Sequence, residues 1–175
     1  MLIIGYLLTN TTYHLNYAYL ISLGLVFSII SDFSFKQSST NTLLSDTALL
    51  ISHIVCFLAF FFMLHNDPTA WLSIVIICCA VIVYLLILPN LANYKVFIAI
   101  YFAVSSMMIW SSAEFWIDAR SLPALLALLS SLSFLLYGTF LNLTKFNRSW
   151  WLTGQTMTVT YFAFQALLAL SVQTL

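Results

Sequence analysis

The chain has 175 residues, 63% hydrophobic and only 6% charged, with zero formal net charge and a mean hydropathy of +1.05. A soluble domain carries about 25% charged residues, so these proportions exclude a water-soluble fold and point to an integral membrane protein. The basic residues are few and dispersed, which excludes a nucleic-acid surface. The chain also lacks the Gly-rich phosphate loop, HExxH and GxSxG, which removes the common nucleotide, zinc-protease and serine-hydrolase motifs.

A helix that crosses a bilayer needs roughly 20 apolar residues. Met1 to Thr9 is apolar but too short, and reads as the tail of a helix whose beginning is missing. It has neither the charged region nor the small-residue cleavage site of a signal peptide. After a polar break at Asn10 to Asn16, six apolar runs follow: Leu15 to Phe35, Leu43 to Leu64, Trp71 to Leu88, Tyr94 to Trp116, a fifth to Leu143, and Gly154 to Val172. Lys36 to Asn41 separates the first two, Asn66-Asp67-Pro68 the next, and Pro89-Asn90 the third from the fourth. Pro123 falls in the first turn of the fifth run, where a helix tolerates it. The expected architecture is all-α: one domain over 1–175, a polytopic transmembrane helix bundle of six full spans plus the short N-terminal fragment.

Loop charge sets the expected orientation. Lys36, Lys95, Lys145 and Arg148 fall on one side, and Arg120 opposes Asp67, Asp118 and Glu114 on the other. By the positive-inside rule the first side is cytoplasmic; the expected setting is a multi-pass protein of a bacterial inner or cell membrane. Cys56, Cys78 and Cys79 lie inside apolar runs without zinc-ligand spacing, and read as small packing residues. No metal or other cofactor is expected. The Asn-x-Ser/Thr sequons at Asn10, Asn142 and Asn147 are weak, the last two falling on the cytoplasmic side.

With so few charges, the polar groups at membrane depth carry most of the information. Gly24, Ser28 and Asp32 share one helical face, as do Asp46 and His53, Ser130, Ser133 and Tyr137, and Thr158, Tyr161 and Gln165. For the serines and threonines, routine helix packing is the expectation, and a lone histidine serves as readily for packing as for chemistry. Asp32 is different, because an aspartate inside a span is expensive unless paired or used; its rival reading is a pair with Lys36 at i+4. Trp110-Ser111-Ser112-Ala113-Glu114-Phe115-Trp116 sets a second carboxylate between two tryptophans. Glu114 is a functional candidate on the same ground, or it lies in the headgroup layer with its tryptophans.

These stretches, in order, resemble the YhhN-like lysoplasmalogenase family. Tyr17 to Asp32 is similar to the family's span ending in Gly-Asp, here Ser31-Asp32. Ala48-Leu49-Leu50-Ile51-Ser52-His53 is similar to its span with a central Ser-His. Ser112-Ala113-Glu114-Phe115-Trp116 resembles its Ala-Gly-Glu-Leu-Trp element, a proline-started helix follows at Pro123, and Tyr161-Phe162-Ala163-Phe164-Gln165 resembles its last-helix Tyr-x-x-x-Gln/His. The family has eight helices; the first, most of the second and a Lys-Pro element have no counterpart here. Its late Ser-Asp aligns with Tyr137-Gly138, so a second intramembrane acid is absent.

The resemblance implies hydrolysis of the vinyl-ether bond of a lysoplasmalogen, a membrane lipid of the lysophospholipid kind, to a fatty aldehyde and a glycerophospho-headgroup. A vinyl ether is cleaved by protonating its β-carbon, so the site needs a carboxylic acid kept protonated, an anion near the oxocarbenium ion and a base for water. This is similar to the two-carboxylate logic of glycosidases. Asp32 and Glu114 are then the carboxylates, with His53 or Tyr161 orienting water or shuttling protons and Gln165 holding substrate oxygens. Helix rise places Asp32 and Glu114 roughly 20 Å apart in depth. Asp32, His53, Tyr137, Tyr161 and Gln165 are therefore expected as one cluster, with Glu114 apart. Two other readings stand beside this one: a catalytically degenerate lipid-binding or structural protein of the same fold, and a small transporter. The oligomeric state is left open.

Overall fold

The computed structural model describes residues 15–37, 42–64, 69–88, 95–146 and 153–174. The Met1 to Thr9 fragment, the Asn66-Asp67-Pro68 turn, the Pro89-Asn90 stop and Arg148 lie outside them. Among the described residues there are six helices and no strand: α1 (Leu15–Gln37), α2 (Thr42–Phe61), α3 (Ala70–Ile87), α4 (Lys95–Ala119), α5 (Leu122–Phe146) and α6 (Thr153–Gln173). Three ends differ from expectation by three residues, one of them that of α5, which runs on to Phe146 instead of Leu143. At Phe62 and Met63, α2 tightens into bonds from Met63 N to Phe60 O and Leu64 N to Phe61 O, ending three residues early. At its far end α4 runs on to Ala119, where Arg120 takes a left-handed φ of 43°.

That left-handed residue stops α4 and lets α5 begin two residues later, the role glycine usually fills at a helix end. A side chain there costs about 1–2 kcal/mol. Arg120→Gly is accordingly expected to raise the thermal midpoint of the detergent-solubilised protein, and Arg120→Val to lower it.

Four helices contain stretches long and apolar enough to cross a membrane: Asn16–Ser34, Leu44–Phe61, Lys95–Ala119 and Leu122–Thr139. The apolar part of α3 is shorter, Ala70–Leu86. The first half of α6 is diluted by Gln155, Thr156, Thr158 and Thr160. Against the expected six full spans, the described helices thus establish four. They suffice to make this a membrane protein.

The outer face is apolar, and serines are buried within a largely apolar interior. Ile29, Ile54, Ile74, Leu86, Ile100 and Leu136 face outward, whereas Ser28, Ser31, Ser45, Ser52, Ser105, Ser112 and Ser130 are buried. Lipid gives helices no hydrophobic reason to associate, so small residues and interhelical hydrogen bonds do that work. The Cβ of any residue replacing Gly24 would sit 2.8 Å from Cys56 Sγ, and Ser52 Oγ donates to Gly24 O at 2.8 Å, so α1 and α2 meet closely. Nearer the Lys95 end, Ser31 Oγ donates to Ser45 O (2.8 Å) and Ser45 Oγ to Ser31 O (3.0 Å). Ser112 and Ser131 join α4 to α5 at 2.7 Å, and Ser130 Oγ reaches Phe164 O on α6 at 3.3 Å. Tyr17 and Ser171 close α1 onto α6 at 3.0 Å.

The result is a ring in the order α1, α2, α4, α5, α6 and back to α1, with α3 packed outside on α4. Some expected packing residues face outward instead. Cys78 and Cys79 are exposed on α3, while Cys56 is buried. Thr158 is exposed, and Ser133 bonds its own helix at Leu129 O.

Candidate functional site

The middle of the ring is aromatic and polar. His53 from α2 is fully buried, stacked on Phe134 of α5 (centroids 4.0 Å) and edge-on to Tyr101 of α4 (4.9 Å). Phe134 stacks in turn on Phe164 of α6 at 3.9 Å. His53 Nδ1 lies 2.8 Å from Leu49 O. A carbonyl only accepts, so Nδ1 carries the proton and Nε2 presents a lone pair. That Nε2 has no hydrogen-bond partner among the described residues.

Towards the Lys95 end lies a second polar group around Ser28. Tyr161 Oη donates to Ser28 O at 3.3 Å, and Gln165 Nε2 stands 3.5 Å from Ser28 Oγ, at the outer limit of a bond. The Tyr137 and Tyr161 rings are 5.1 Å apart. Asp32, one turn beyond Ser28 and half-buried, acts electrostatically on both tyrosines. Of the predicted residues, Asp32, Tyr137, Tyr161 and Gln165 are thus brought together. His53 is set deeper: Ser52 bonds at the level of Gly24, eight residues before Asp32. At 1.5 Å per residue this is a depth difference of about 12 Å, so His53 does not join the cluster expected around Asp32. Among the described residues no group of three His, Cys, Asp or Glu side chains is placed to hold a metal ion.

Glu114 lies at the opposite end, 5% exposed. Its Oε1 accepts from Thr69 N (2.8 Å) and Trp110 Nε1 (3.2 Å), and Thr69 Oγ1 is 2.5 and 2.6 Å from its two oxygens. Thr69 is the residue before α3, where a threonine hydroxyl commonly caps its own helix. It makes no such cap here, and Glu114 takes both its donors. The carboxylate therefore clasps the N-terminus of α3 to α4, where a negative charge is favoured. Glu114→Gln keeps an acceptor for Thr69 N, whereas Glu114→Ala leaves it without one and is expected to cost about 1–3 kcal/mol. Thermal unfolding in detergent should show the alanine variant well below wild type and the glutamine variant close to it.

At its other end α3 is held by Tyr84 Oη donating to Lys95 O at 3.2 Å. Between the two attachments lies an apolar groove of about 440 Å³, with Ser73, Ile77, Ala80, Ala103, Met107 and Trp110 in its walls. It runs along the outer side of α4 and is lined by none of Asp32, His53, Tyr137, Tyr161 or Gln165.

The YhhN family model matches residues 1–172, nearly the full length. The chain belongs to the YhhN family. No curated protein and no solved structure gives a match. Within the resemblance to that family, Gly138 stands where an acid is usual. A Cβ built on Gly138 would lie 1.5 Å from Tyr101 Oη, so in this YhhN chain the tyrosine hydroxyl from α4 fills that space. Tyr101 escaped the sequence reading because its partner is on another helix and nothing local marks it.

Proposed function

We propose that this YhhN protein is a multi-pass membrane hydrolase of the lysoplasmalogenase type. It would sit in a bacterial inner or cell membrane with its lysine-bearing loops in the cytoplasm. The observation that carries the reading is the setting of Asp32, a half-buried carboxyl one turn from Ser28, the residue that Tyr161 and Gln165 reach. Protonating an unactivated vinyl carbon requires a positioned acid, and Asp32 is the carboxyl next to these polar groups of the bundle. Asp32 gives its proton to the β-carbon, water adds to the oxocarbenium carbon, and the hemiacetal collapses to aldehyde and alcohol. Gln165, Tyr161 and Tyr137 position the ether and headgroup oxygens. His53 steadies Tyr101 and the aromatic stack, and Glu114 has no part in the chemistry.

The α3–α4 groove supports a lipid ligand in general terms. From Ser73 to Tyr84 it extends about 16 Å, half of the ~30 Å hydrocarbon core, which suits one chain from one leaflet. The test is to incubate purified protein in detergent with lysoplasmenylethanolamine and measure released aldehyde. Release that depends on Asp32 supports the reading; none from wild type refutes it. A non-catalytic lipid-binding protein is the second reading, favoured by the Tyr101 hydroxyl standing beside Gly138 in place of an acid. In that case a lysolipid binds without turnover.

A further inference from the structure

We infer that Asp46 is the second carboxylate of the polar centre, paired with Asp32. Its chemistry rests on the hydrolase reading; its geometry rests on the α1–α2 register alone. The reciprocal bonds between Ser31 and Ser45 put those residues at one depth. The Ser52–Gly24 bond, seven residues back along α1 and seven on along α2, shows the pair to be antiparallel in the same register. Asp32 follows Ser31 and Asp46 follows Ser45, so the two acids differ in depth by about 3 Å. One residue is also a turn of about 100°. In an antiparallel pair the two turns carry both side chains to the same side of the seam.

The surrounding hydroxyls agree with that placement. Asp46 is half-buried like Asp32, and both are near enough to Tyr137 to act on it electrostatically. Tyr101 is 2% exposed, and its buried Oη, which stands against Gly138, has no hydrogen-bond partner among the described residues. Glu114, clasped to Thr69, is thirteen residues up α4 from Tyr101, about 20 Å away.

The pair divides the reaction as follows. Asp32 begins protonated and Asp46 ionised. The Asp32 proton forms the new C–H bond at the β-carbon, leaving the oxocarbenium ion. As water bonds to that carbon, Asp46 takes a water proton. On collapse Asp46 returns this proton to the departing glycerol oxygen, and the hemiacetal hydroxyl proton goes to Asp32. One water is consumed and both acids end as they began.

Two experiments decide it. Asp46→Asn should lower aldehyde release about 100-fold or more, with Asp46→Glu recovering part and the Asp32→Asn/Asp46→Asn double variant no worse than the weaker single. Wild-type turnover with undiminished Asp46→Asn activity overturns the inference. Independently of turnover, Asp32→Cys/Asp46→Cys, in a chain with Cys56, Cys78 and Cys79 changed to alanine, should be bridged by a short bifunctional methanethiosulfonate. The Asp32→Cys/Glu114→Cys control should not. Bridging no better than the control overturns the pairing. If wild type releases no aldehyde, the hydrolase reading fails by itself and the cysteine pair still decides whether the carboxylates meet.

Discussion

Asp32→Asn should abolish aldehyde release, by about 10²- to 10⁴-fold, while moving the thermal midpoint little. Asparagine keeps the shape of the side chain, and the Tyr161–Ser28 bond does not involve Asp32, so the helices that meet at Ser28 keep their contacts. What it loses is the acidic proton, and no other described group stands in that position. Residual turnover would have to use Asp46 alone. A non-catalytic protein predicts the reverse pattern, a change in stability with no turnover to lose. Measuring aldehyde release and thermal unfolding on the same preparations separates the two.

Gly138→Ala should be the most damaging small substitution in the ring. The new methyl would fall 1.5 Å from Tyr101 Oη and 2.5 Å from its Cζ, far inside contact distance. Tyr101 has little room to withdraw, since its ring is edge-on to His53 at 4.9 Å and to Phe102 at 6.0 Å. Overpacking of this kind costs about 1–3 kcal/mol. Relief should be graded: Tyr101→Phe removes only the hydroxyl and leaves Cζ too close, so it restores part of the thermal midpoint, whereas Tyr101→Leu restores most of it. Equal rescue by both would mean that the ring is not where the structure puts it.

The sequence made the fold legible to a large extent because membrane spans are marked by composition. The limits of α1, α3 and α6 were foreseen to within two residues; α2 ended early because its last turn tightens at Phe62 and Met63, which no breaker residue announces. The cluster around Ser28 could be foreseen because Gly24, Ser28 and Asp32 share a face, and Tyr161 and Gln165 share another. Glu114 was expected apart from Asp32, but its partner Thr69 could not be foreseen, since it lies 45 residues away and the bond is tertiary. Asp46 was visible as facing the way of His53, yet its kinship with Asp32 appears only once Ser31 and Ser45 are seen to bond.

The central claim is that a protein-held carboxylic acid protonates carbon. Turnover of lysoplasmenylethanolamine in heavy water, with the aldehyde reduced at once to its alcohol and weighed, tests it most directly. The account predicts one deuterium at C2 of the product from wild type and no product from Asp32→Asn. Aldehyde without deuterium at C2, or the same labelled product from Asp32→Asn at the wild-type rate, would contradict it.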